Sequence, residues 1–217
     1  MLNDVSPETK MAVHSDFPPE SQFTAPHRVA PNPQWWHAPD GDSTECEVSE
    51  LVGALVRALQ PDLVVETGTA FGYTALAIGQ ALVSNRHGRL VTLETDDDRR
   101  DEARKLLRLH TPSLLAEDDG PITLSELSSL EWDPTDARVD FAFFDSLYEL
   151  RSAEFRRFRD LGALRAGSIV AFHDWTSRLR GQDFDVRREI EQLEAEALLR
   201  AIYLPTPRGV ALAEVLE

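Results

Sequence analysis

The sequence predicts an α/β domain: a seven-stranded, mostly parallel sheet with helices on both faces and a C-terminal antiparallel β-hairpin. Three observations lead there. Short apolar runs alternate with segments of helical spacing from about residue 44 onward. The strongest runs, Leu63-Val64-Val65 and Phe141-Ala142-Phe143-Phe144, read as strands covered on both faces. The last two runs are separated only by the turn Pro205-Thr206-Pro207-Arg208-Gly209. Strands alternating with helices imply parallel pairing through right-handed crossovers, whereas a tight turn pairs its flanks antiparallel.

The elements follow in order. Residues 1–43 hold seven prolines and one glycine, show little periodicity, and read as an extended or partly ordered arm with a possible short helix, ending at Asp40-Gly41-Asp42-Ser43. With Ser43 or Thr44 as N-cap, Glu47 to Leu59 carries apolar residues at helical spacing, and Pro61 lies beyond its end. Leu63 to Glu66 is the first strand, followed by a helix from Tyr73 to Leu82. Arg89 to Glu94 is the second, with a helix from about Asp98 to His110. Pro121 to Ser125 is a weaker third strand. Val139 to Phe144 precedes a helix from Tyr148 to about Leu164, and Ser168 to Phe172 precedes one from Asp185 to Glu196. Leu198 to Leu204 and Val210 to Val215 form the hairpin.

Composition narrows the function classes. At 217 residues the chain can bury one sizeable core without staples. A formal charge of −16 repels phosphate backbones and anionic membranes, so no nucleic acid and no membrane is expected as a partner. The densest basic stretch, Arg151 to Arg165, is interleaved with Glu154 and Asp160 and reads as a solvated helix face. Cys46 is the single cysteine, which excludes an internal disulfide and a cysteine metal cluster. The first residues show neither a basic nor an apolar leader region, and no apolar run reaches the ~18–20 residues of a membrane span, so a cytoplasmic location is expected.

In open parallel sheets ligands bind beyond the carboxyl ends of the strands. That rule selects Glu66 to Thr74, Glu94 to Asp96, Asp145 to Tyr148 and His173 to Trp175. In the first of these, Gly68 permits a sharp turn, Gly72 permits a close approach at the helix start, and the loop's amides can meet an anionic group. The spacing is G-x-x-x-G rather than the dinucleotide G-x-G-x-x-G. Glu66, two residues before Gly68, would repel a pyrophosphate and attract a cation. Glu94 closes the second strand, where a carboxylate can accept the hydroxyls of a ribose.

Val65 to Thr74 resembles motif I of the class I S-adenosylmethionine-dependent methyltransferases, in the form common among small-molecule O-methyltransferases (methyltransferase family 24, catechol-O-methyltransferase-like). Leu90 to Glu94 resembles the family's second motif, and Phe141 to Asp145 its fourth-strand motif. Leu164 to Asp174 resembles the strand that follows, and the likeness spans about residues 44–217. The resemblance implies a Rossmann-like fold and S-adenosylmethionine as cofactor. It implies that Glu66, Gly68, Thr69 and Gly72 wrap the methionine part, with Thr67, Tyr73 and Thr74 also binding the cofactor. Glu94 would hold the ribose beside Thr95 and Asp96, and Ser125 and Leu127 would sit near adenine, with Asp145 also at the cofactor.

Methyl transfer aligns a nucleophile with the sulfonium methyl and removes or masks a hydroxyl proton. Asp145, His173 and Asp174 fall at adjoining strand ends and are the catalytic candidates. Two arrangements are open. In one, the three hold Mg²⁺ or another divalent cation, as the resemblance to metal-dependent members implies, although imidazole is a poor Mg²⁺ ligand. In the other, His173 is a general base without metal. Trp35, Trp36, Tyr148 and Trp175 are candidate walls for a small-molecule methyl acceptor, and His27 and His37 are further candidate bases. The family's use of such segments implies that the arm is a lid or a contact in a homodimer. The alternatives are an NAD-dependent oxidoreductase on a similar sheet and a cofactor-binding protein without turnover.

Overall fold

The structure, a computed structural model, describes residues 36–39, 43–110, 112–134, 137–175 and 185–217. Trp35, His27 and nearly all of the expected arm lie outside the described residues. The elements run α1 (Cys46–Leu59), β1 (Leu63–Thr67), α2 (Tyr73–Asn85), β2 (Arg89–Leu93), α3 (Asp97–Leu109), β3 (Ile122–Ser125) and β4 (Phe141–Phe144). They continue as α4 (Arg151–Asp160), β5 (Ile169–His173), α5 (Val186–Ala195), β6 (Leu199–Leu204) and β7 (Val210–Val215). The seven strands form one sheet in the order β3-β2-β1-β4-β5-β7-β6. All pairings from β3 through β5 are parallel, and β7 enters antiparallel between β5 and β6.

Alternation along each strand supplies a core on either face. Phe141 and Phe143 of β4 face α1 and α2, where Val48, Val52, Val56, Ile78 and Leu82 are buried with them. Ala142 and Phe144 face the opposite way, onto Phe155 and Phe158 of α4 and Ile190 and Leu193 of α5. Phe144 stacks on Phe172 of β5 at 5.1 Å between ring centres, which ties the two central strands to α4. Each such aromatic side chain, fully buried, contributes roughly 1.5–3 kcal/mol of transfer free energy.

Two helix starts differ from the sequence expectation. α1 takes neither Ser43 nor Thr44 as N-cap: Glu45 precedes the helix, its carbonyl accepts from Val48 and Ser49, and its side chain makes no cap bond. The Thr44 hydroxyl and the Glu45 carboxylate point instead to the strand ends. α4 begins at Arg151 rather than Tyr148, because Leu147 to Leu150 form a turn leading out of β4. It also stops early, where Ala163 and Leu164 both donate to the Phe158 carbonyl and Gly162 adopts φ +69°. No helix among the described residues is long and apolar enough to cross a membrane.

Candidate active site

The strand order reverses direction between β1 and β4, and the chain leaves these two strands to opposite sides. A cavity of about 430 Å³ opens there, within the usual size of small-ligand sites. Its walls come from the β1–α2 loop, the β2 and β3 ends, the β4–α4 turn, Asp174 after β5, and Arg208 in the hairpin turn.

The β1–α2 loop is tied down through its amides, chiefly to the end of β2. Gly68 and Thr69 donate their amides to the Leu93 carbonyl, Ala70 donates to Glu94 Oε2, and Gly72 donates to the Thr69 carbonyl. Four amides that would face a phosphate in a pyrophosphate-binding loop are therefore already satisfied. Gly68 must be glycine: its φ is +81°, and a Cβ would stand 2.4 Å from the Asp145 carbonyl oxygen. Beneath the loop Glu66 is buried, bonded to Thr92 Oγ1 at 2.5 Å, and Thr92 in turn contacts Thr69 Oγ1. Burial pushes its carboxyl up to about 8 against the Thr92 bond, with Asp145 and Glu94 adding repulsion. Glu94 takes the Asp96 amide on Oε1 and the Ala70 amide on Oε2, which fixes its carboxylate at the cavity edge.

Across the cavity stands a cluster of alternating charge. His173 is fully buried, with Nδ1 at 2.9 Å from Asp145 Oδ1 and Nε2 at 2.6 Å from Glu45 Oε2. Both ring nitrogens face carboxylates, an arrangement that favours the doubly protonated ring. Burial alone would lower its pKa, but Asp145, Asp174 and Glu45 outweigh burial and raise it well above the usual value. Asp174 adopts φ +58°, a left-handed conformation that Asp tolerates better than most residues. Its Oδ2 takes Arg151 Nη2 at 2.9 Å, and its Oδ1 takes Arg208 Nε at 2.7 Å. Burial disfavours its charge, yet Arg208, His173 and Arg151 hold it well below the ordinary range. Arg151 Nη2 also reaches Asp145 Oδ1 at 3.0 Å, and Thr44 donates to Asp145 Oδ2 at 2.5 Å. Glu45 additionally accepts the Arg208 amide, and Arg208 Nη1 donates to the Ser43 carbonyl. Three carboxylates thus meet three cations.

Many residues singled out by sequence meet at this cavity: Gly68, Thr69, Tyr73, Thr74, Glu94, Thr95, Asp96, Leu127, Asp145, Tyr148 and Asp174 line it. Others stand behind the lining. Thr67 donates to the buried Glu154, Gly72 packs with φ +88° against Ala103, and Ser125 accepts the Leu127 amide to shape its turn. Trp36 packs on the α1–α2 core. Trp175 is buried against Tyr203 and gives its indole N–H to the Leu204 carbonyl. His37 is bonded to Glu47 of α1. Sequence reasoning missed Glu45, Arg151 and Arg208. Glu45 carried no pattern of its own, Arg151 looked like a charge on a solvated helix face, and Arg208 looked like a turn residue.

Asp145, His173 and Asp174 each bring one donor atom within 4.8 Å of the others, as a divalent cation asks. Their donors do not fit that use. A cation would have to take a proton from His173 and displace Arg151 from both carboxylates. Among the described residues, this trio carries no step through a metal.

Comparison with known proteins bears on the family and the fold. A family described as a methyltransferase domain matches residues 65–175. A putative O-methyltransferase from Klebsiella pneumoniae is 26% identical, with a TM-score of 0.66 over 82% of this chain and 84% of that one. An O-methyltransferase from Bacillus cereus, solved in complex with S-adenosylhomocysteine, is 21% identical, with a TM-score of 0.66 over 81% and 84%. The O-methyltransferase TomG from Streptomyces achromogenes, solved in complex with S-adenosylmethionine, is 22% identical, with a TM-score of 0.62 over 82% and 83%. The last two likenesses concern the fold.

Proposed function

This chain belongs to the methyltransferase-domain family, and on that premise we propose that it transfers the methyl group of S-adenosylmethionine to an oxygen of a small molecule. The observation that carries this reading is the pairing of a β1–α2 loop whose amides are already spent with the Glu94 carboxylate on the same cavity wall. A loop with spent amides and an acidic rim suits a ribose and a cationic group better than a pyrophosphate.

In this reading Gly68, Thr69, Tyr73 and Thr74 hold the methionine end, and Glu66, Thr67 and Gly72 fix that loop from behind. Glu94 takes the ribose, flanked by Thr95 and Asp96, while Leu127 covers the base. When bound, the cofactor supplies an electrophilic sulfonium methyl for in-line displacement. Asp145, Ser146, Leu147, Tyr148, Asp174 and Arg208 form the acceptor side and exclude water from it. Burial, reinforced by Asp174, pushes Tyr148 up to about 12, so its hydroxyl keeps its proton and offers a donor to the acceptor. His173 is fully buried and has both ring nitrogens turned to carboxylates, so it offers no free lone pair to the cavity. His173 therefore acts by holding Asp145 in place, and the general-base role expected from sequence does not pass to it.

The test is label transfer from methyl-tritiated S-adenosylmethionine to a panel of phenols, sugars and carboxylic acids, with Glu94→Ala beside the wild type. Transfer to at least one oxygen acceptor is expected, with cofactor affinity in the variant lower by about 1–3 kcal/mol. Tight S-adenosylhomocysteine binding with no transfer to any acceptor would favour a binding protein without turnover.

A further inference from the structure

The strand-end cluster carries a consequence for cofactor chemistry, resting on the function proposed above. Arg151 opens α4, three per cent exposed, and its guanidinium is held from every side. Nε and Nη2 donate to the Ser146 carbonyl at 3.1 and 2.9 Å, Nη1 donates to the His173 carbonyl, and Nη2 reaches both Asp145 and Asp174. Its Cζ lies 4.9 Å from the Tyr148 ring centre, and the residue forms part of the cavity lining. We propose that the Arg151 guanidinium occupies the place of a divalent cation, bridging Asp145 and Asp174 beside the acceptor, and that this chain transfers methyl groups without a metal.

Charge counting supports the assignment. Arg151 stands 3.0 Å from Asp145 and 2.9 Å from Asp174, and Arg208 stands 2.7 Å from Asp174, so two guanidinium groups already serve these two carboxylates. A divalent ion between Asp145 and Asp174 would have to be desolvated beside a guanidinium already bonded to both carboxylates, at a steep cost. Removing the Arg151 charge leaves two carboxylates at the cavity short of one cation. A fixed guanidinium also differs from a metal in function, because it does not exchange ligands and carries no activated water.

The experiment uses the full chain, stripped with EDTA and titrated with Mn²⁺ while the free ion is followed by electron paramagnetic resonance. Thermal unfolding is measured in parallel. Wild type is expected to take up no stoichiometric Mn²⁺ and to show an unchanged Tm. Arg151→Gln is expected to melt lower and to bind Mn²⁺ about tenfold or more tighter than wild type, with part of the lost Tm restored. Arg151→Lys, which keeps the charge, should again ignore the ion. One Mn²⁺ per wild-type chain, abolished by Asp174→Asn, would overturn the proposal, as would a folded Arg151→Gln that behaves like wild type. Should Arg151→Gln fail to fold, the wild-type titration alone decides. S-adenosylhomocysteine affinity with and without EDTA separates the two readings. No binding in either condition defeats the methyltransferase assignment and leaves the metal titration standing, whereas binding that requires metal defeats the proposal made here.

Discussion

At the scale of single residues, two positions test how the cofactor loop is built. Gly68→Ala places a methyl group into the Asp145 carbonyl at a φ that side chains rarely adopt. The expected cost is about 1–3 kcal/mol of stability by chemical denaturation, together with weakened S-adenosylhomocysteine binding. Glu66 sets a pH dependence. Its folded-state pKa, about 8, lies above the ordinary 4.5. The folded protein therefore keeps a proton that the unfolded chain releases, and stability falls as pH rises from 4.5 towards 8. The slope is roughly 1.4 kcal/mol per pH unit for one proton. Glu66→Gln mimics the protonated acid, so its stability should be flatter across that window and should exceed the wild type's near pH 8. Equal slopes for the two proteins in denaturation at several pH values would contradict this account of Glu66.

At the scale of elements, the clasp between the start of α1, the end of β5 and the β6–β7 turn is the feature that sequence patterns did not reveal. Apolar runs made the strands legible, and residues at the strand ends followed from the topology. Asp145, His173 and Asp174 were recognisable in that way. Their partners were not, because Glu45 and His173 are 128 positions apart, and Glu45 and Arg208 are 163 apart. Only the folded sheet order brings them together, and periodicity placed Arg151 on a solvated helix. Glu45→Gln removes the carboxylate facing His173 Nε2 and should cost about 3–5 kcal/mol in unfolding free energy, since it leaves a buried imidazolium less compensated. The clasp has two pH limits. The stabilisation from His173 is complete below its ordinary value of 6.5 and is lost as pH climbs through its raised folded-state value. That from Asp174 is present above its ordinary 3.8 and is lost as pH falls through its depressed one. Wild-type Tm should decline on both sides, with the alkaline decline reduced in His173→Gln.

For the molecule as a whole, a seven-stranded sheet with a reversed last strand is a scaffold on which several activities could sit. What separates them here is the chemistry of one loop and one rim. A dinucleotide needs unspent amides over its pyrophosphate, and this loop has given four of its own to Leu93, Thr69 and Glu94. The most direct measurement is calorimetric titration of the purified chain with S-adenosylhomocysteine and, separately, with NAD⁺. Saturable binding of S-adenosylhomocysteine at one site per chain, with no heat from NAD⁺, is the predicted result. A chain that binds NAD⁺ and ignores S-adenosylhomocysteine would contradict the account.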